Sequence, residues 1–286
     1  MSDNEMSEDE IPEDETAAPS APSATPNAPD LLGTTADPAL TEDLALALLK
    51  RADLPPEVLE QLAKNAHALK SRKVRIALAS HPHTPRHVSV PLARQFYTFD
   101  LMKVALSPRV PADVKVAVDN VLISRLQTVT TGERLTLARR ASGRVAAALL
   151  LDVGTRDGKI SAGKIKDGTI KEGKIVAAKI NHAEAVARQT RVMQIALENP
   201  RLTEALVINS VLRPAASAAL VHAVARHAKW SPRREVRAAL LRTAHLSLAR
   251  ALDFSREIPT KLLQEVLASS RLPAKIKDQL LRERFA

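Results

Sequence analysis

"VRIALASHPHTPRHV", residues 74–88, is the stretch that decides how this chain folds. Val74, Ala77 and Leu78 recur at helical spacing, and the pattern gives out at Ser80. A polar turn follows. Pro85 then stands where a proline suits the first turn of a helix, and Val88 opens a second apolar-periodic run. The reading is helix, turn, helix.

The same design recurs along the chain. It begins at residue 46 as "LALLKRADLPPEVLEQLA", at 104 as "VALSPRVPADVKVAVDNV" and at 195 as "IALENPRLTEALVINSVL". It returns at 238 as "AALLRTAHLSLARALDFS" and at 265 as "EVLASSRLPAKIKDQLLR". Each unit ends a helix in apolar residues, crosses a polar turn with one apolar residue, and restarts at Pro, Ser or Thr, which fit helix N-termini. The anchor leucines Leu48, Leu78 and Leu106 lie about 30 residues apart, the period of a helical-pair repeat. Such pairs cannot bury their apolar stripes alone, and stacking closes the core. The expected fold is all-α, a curved α-solenoid of helical repeats over residues 44–286.

"VRIALASHPHTPRHV" (74–88) and "VMQIALENPRLTEALV" (192–207) resemble leucine-rich repeat variant units, a branch of the HEAT-like solenoids. The resemblance implies α-helices paired with short 3₁₀-like helices in a superhelix. It brings no catalytic residues with it.

Composition agrees with close helix packing. Aromatic residues make up 2% of the chain, so Leu, Ala, Val and Ile must fill the core. There is no cysteine, which excludes disulfides, thiol catalysis and thiolate-held metals or clusters. The acidic N-terminus lacks the basic and apolar regions of a secretory leader, and runs such as "VAAALLL" (145–151) are too short to span a bilayer. A soluble, cytoplasmic protein is expected.

Charge is segregated. Up to Asp43 the chain carries 12 Asp and Glu and no Lys or Arg. All 42 Lys and Arg follow, against the 20 remaining acids (32 less 12), a net of +22. Residues 1–43, rich in acids, Pro, Ala and Ser, read as a disordered tail. The basic remainder should attract polyanions: an acidic protein surface first, nucleic-acid phosphates as the alternative.

One interval breaks the period. Leu149 and Leu197 are 48 residues apart, and between them runs "GKISAGKIKDGTIKEGKI" (158–175). Its G-x-x-x-x-G-K matches mimic a phosphate-binding loop, but Ile165 and Ile175 stand where magnesium coordination needs Ser or Thr. A five-residue period explains the matches: Ile recurs at 160, 165, 170, 175 and 180. We read 153–180 as an insertion within one repeat, with "HAEAVARQTRVMQIAL" (182–197) supplying a second helix and the start of the next. The insertion itself fits a lysine-rich loop foremost, and otherwise compact turns or an irregular helical extension.

Candidate partner-binding residues are the insertion lysines Lys159, Lys164, Lys171 and Lys174 and two arginine clusters. The clusters are Arg139, Arg140 and Arg144, and Arg233, Arg234 and Arg237, in which four-residue spacings could share a helix face. His81, His83 and His87 raise a metal site, but no nearby acid completes a ligand set, and a role on a turn surface is the better reading. Trp230 stands without the aromatic and carboxylate company a base-excision site needs. No catalytic triad order, His-Glu-x-x-His or dinucleotide fingerprint occurs. The chain reads as non-catalytic, with no cofactor or metal implied.

Overall fold

The computed structural model of the chain describes residues 28–151 and 172–285. Among the described residues are sixteen α-helices and no strand. The first nine are α1 (Ala28–Ala36), α2 (Glu42–Lys50), α3 (Pro56–Lys64), α4 (Arg72–Ala79), α5 (Arg86–Ala93), α6 (Thr98–Leu106), α7 (Ala112–Arg125), α8 (Thr131–Arg140) and α9 (Gly143–Leu151). Then come α10 (Glu172–Leu197), α11 (Glu204–Leu212), α12 (Ala218–Arg226), α13 (Arg234–Leu241), α14 (Leu248–Glu257), α15 (Thr260–Ala268) and α16 (Ala274–Phe285). Extensive packing joins only helices that are neighbours or next-but-one in the chain. Odd-numbered helices line up as α5–α7–α9–α11–α13–α15, and even-numbered ones as α2–α4–α6 and α8–α10–α12. The result is two layers of helices. At one edge, the first, even helices end and odd ones begin; at the second edge, odd helices end and even ones begin.

The two layers start their helices differently. Pro55, Pro85, Pro111 and Pro259 precede α3, α5, α7 and α15, all in the odd layer. Even helices α2, α4, α8 and α12 start on Thr41, Ser71, Thr130 and Ser217, whose hydroxyls accept backbone N–H groups of the first turn. Thr130 completes a capping box with Glu133, and the donated N–H holds that carboxyl below its usual range.

Helix C-termini pose the harder problem, because the last carbonyls lack intrahelical partners. Glycine commonly resolves this, yet five of the eight glycines lie between 154 and 173 and none follows a helix described here. Instead, donors from the next helix of the same layer reach back. The Asn65 amide donates to the carbonyls of Thr35 (3.0 Å) and Asp37 (2.8 Å), and Asn199 donates to Ala138 (2.8 Å) and Ala141 (3.2 Å). His81 Nε2 donates to Arg51 (2.7 Å), the Trp230 indole N–H to Leu197 (2.8 Å) and the Ser270 hydroxyl to Leu241 (2.6 Å). Most of these hub side chains also accept a backbone N–H two residues on: His67 to Asn65, His83 to His81, Arg201 to Asn199 and Leu272 to Ser270. At these five joints the later helix thereby caps the one before it in its layer. The repeat is visible in the separations, which are 30 residues for Asn65–Thr35 and His81–Arg51 and 29 for Ser270–Leu241.

Three expectations change. The ordered body begins before residue 44: Leu31, Thr35 and Leu40 are buried, and α1 packs on α3. Its few apolar residues suffice because Asn65 ties down the end of α1. Over 153–180, the part from Glu172 to Ile180 belongs to α10, which continues unbroken to Leu197 rather than dividing. The rest of that insertion lies outside the described residues. Finally, the second member of each pair is an α-helix, and the one 3₁₀ segment among the described residues is Ala68–Lys70.

Candidate binding surface

Arg139 and Arg140 end α8, exposed and without an ion pair among the described residues. Basic residues there are favoured by the helix dipole. Arg201 donates to the Arg140 carbonyl (3.1 Å), bringing a third exposed arginine to the same end. Arg144 does not share a helix with Arg140, because the chain turns at Ala141–Ser142. It lies half-buried on α9, bonded to the Asn120 side chain (3.0 Å). Beside it is the buried Asp119, whose carboxyl burial pushes up, while the Ser142 hydroxyl donating to it (2.8 Å) and the Arg144 charge pull the other way. Arg144 opens on a groove of about 450 Å³ between α7, α9 and α11, with Ala147, Ala148 and Leu206 in its wall and Arg213 also lining it.

The second cluster divides. Arg233 pairs with Glu204 of α11 (2.6 Å) and lies 5.4 Å from the Trp230 ring. Arg237 donates to the Ser231 carbonyl (2.6 Å), pairs with Glu257 of α14, and covers the Phe254 ring at 5.4 Å. These two are committed to joining helices and are not free for a partner. Arg234 alone is exposed and unpaired among the described residues. Lys159, Lys164 and Lys171 lie outside the described residues, and Lys174 lies in the first turn of α10. Arg139 and Arg140, at the end of α8, and Arg234, at the start of α13, sit on the first edge.

The three histidines divide: His83 and His87 are exposed on the turn, whereas His81 is structural. His81 is buried, and because Nδ1 accepts the His83 N–H its proton sits on Nε2. Burial pushes its imidazole below the ordinary range. His83 Nδ1 bonds the Leu54 carbonyl (3.0 Å), and His87 lies 3.3 Å from Glu60. No group of three or more His, Cys, Asp or Glu among the described residues could hold a metal ion. Trp230 is buried in the core. No helix among the described residues is long and apolar enough to cross a membrane.

Composition hid one feature. Tyr97 is 71% exposed and Phe99 39%, two residues apart at the start of α6 on the second edge, with the Arg72 guanidinium 5.2 Å from the Tyr97 ring centroid. Comparison with family models, curated proteins and solved structures finds no match to this chain.

Proposed function

We propose that the chain is a non-catalytic α-solenoid of HEAT-like repeats that docks an anionic macromolecule by charge. The two-layer order of the helices and the 30-residue spacing of the capping bonds support the repeat reading. Docking rests on one observation: residues 44–286 carry a net +22, and helix ends among them hold exposed arginines, Arg139 and Arg140, that pair with no acid among the described residues. An acidic protein segment fits such cations. A nucleic-acid strand contacted at its phosphates fits them equally, and the exposed Tyr97 and Phe99 favour this second reading.

The test is a titration of the full chain with fluorescent polyglutamate and oligonucleotide in rising salt. Affinity should fall steeply with salt, and Ala at Arg139, Arg140 and Arg234 together should weaken it by about tenfold, the order expected for losing a few phosphate or carboxylate contacts. Ala at Arg233 or Arg237 should lower the melting temperature instead. A chain that retains no polyanion even at low salt would sink the proposal.

A further inference from the structure

The N-terminus of α6 differs from α2, α4, α8 and α12 at Tyr97 and Phe99, and buries an acid at Asp100. Where α2, α4, α8 and α12 present a capping Thr41, Ser71, Thr130 or Ser217, α6 presents Tyr97, which makes no side-chain cap bond. Two residues on, the equivalent positions hold Asp43, Lys73, Gly132 and Ala219; here Phe99 is exposed. One residue further, the equivalent positions hold Leu44, Val74, Glu133 and Leu220, of which Val74 and Leu220 lie in the core; Asp100 is an acid there and is 1% exposed. Giving up a cap, exposing two of six aromatic residues and burying a carboxylate each oppose stability. Local rules broken together mark a functional constraint rather than drift.

The three changes form one device. Asp100 accepts two hydrogen bonds from Arg72, at Nε and Nη2, both 2.8 Å. That fork fixes the guanidinium against one face of Tyr97 and leaves the ring otherwise in solvent. Arg72 is committed to Asp100, so it steadies the ring more than it supplies charge. Free positive charge comes from neighbours: Arg94, three residues before Tyr97, and Lys103, one helical turn after Phe99, are exposed and unpaired among the described residues. A rigid, half-open aromatic face flanked by phosphate-binding cations is the equipment for stacking an unpaired base while holding its backbone.

We infer that Tyr97 and Phe99, braced by Arg72 and Asp100, form a stacking site for single-stranded nucleic acid on the second edge. This rests on the nucleic-acid reading of the docking function. The experiment measures the full chain's affinity for oligo(dT), oligo(U) and inorganic polyphosphate of matched charge. Both oligonucleotides should bind more tightly than polyphosphate, and a preference between them distinguishes DNA from RNA. Tyr97→Ser should lower oligonucleotide affinity about tenfold, in the range of one lost base–aromatic stack, with the salt slope and polyphosphate binding unchanged. The same variant should raise the melting temperature, since Ser restores the cap that Ser71 gives α4. In Tyr97→Trp, indole fluorescence above that of buried Trp230 should be quenched by oligonucleotide and not by polyphosphate. Equal binding of all three anions with no effect of Tyr97→Ser would overturn the stacking site and leave charge docking intact. Polyglutamate bound with the same dependence on Tyr97 would make it a protein interface and overturn it too. Failure to bind any anion would remove both readings.

Discussion

Asn199 offers the sharpest test of how the molecule holds together, because its bonds close over the Gly-Lys connection. Its amide reaches Ala138, 61 residues earlier, where the equivalent bond from Asn65 reaches back 30. The side chain is 1% exposed, donates to two buried carbonyls and accepts the Arg201 N–H at 2.8 Å. Asn199→Ala removes three bonds at roughly 1 kcal/mol each and strands polar groups that water reaches poorly, so about 3 kcal/mol should be lost. For a domain of this size each kcal/mol moves the midpoint by about 2–4 °C, so the melting temperature should drop by about 6–12 °C. Urea titration followed by circular dichroism gives the free energy. Hydrogen exchange should show protection lost at both Ala138–Ala141 and the 199–203 turn. A loss under about 1 kcal/mol would refute the claim that these donors cap the preceding unit.

Other consequences can be checked alongside. Burial lowers the His81 pKa from 6.5, so the unfolded chain binds the proton more readily than the folded one. The stability His81 contributes is complete above about pH 6.5, the ordinary histidine value, and is lost as pH falls through the depressed folded value. His81→Asn, which installs the residue that serves at 65 and 199, should flatten the melting temperature against pH just below that point, leaving the slope due to His227, shifted the same way by burial, and at lower pH that of shifted carboxyls such as Asp119 and Glu133. A variant curve as steep as the parent's would contradict this. Gly143→Ala should destabilise by about 1–3 kcal/mol. Its Cβ would lie 2.1 Å from the Arg201 carbonyl oxygen, a backbone atom, whereas in an unconstrained helix the same change stabilises. A neutral or stabilising result in chemical denaturation would count against that approach.

Much of this architecture could be read from residues. Pro85 and Pro111 announced helix starts, and Leu48, Leu78 and Leu240 marked buried faces, because helix periodicity and proline's fixed φ are local properties. What escaped was set by contacts about 30 residues away. His81 looks like a surface turn residue until Arg51 is seen to need its proton, and Arg233 looks free until Glu204 is placed beside it. Leu31 and Leu40 were submerged in an acidic context, and only Asn65 shows why they hold. An aromatic fraction of 2% says nothing of placement, and what matters is where Tyr97 and Phe99 sit. Aligning the even-layer caps would have flagged Tyr97, since Thr41, Ser71, Thr130 and Ser217 share a chemistry it lacks.

The reach-back bonds give the molecule a direction. The turn region of α10 shows both halves of such a joint: it offers the Leu197 carbonyl to Trp230 beyond α12 and sends the Asn199 donor back to the end of α8. The bond from Asn199 to Ala138 and Ala141 shows the corollary. Because that joint is sealed at the base of the units, the length of chain between them is unconstrained by it. Growth of the array and growth of its connections are thus separate degrees of freedom, and the added residues between α8 and Asn199 leave its bonds to Ala138 and Ala141 in place.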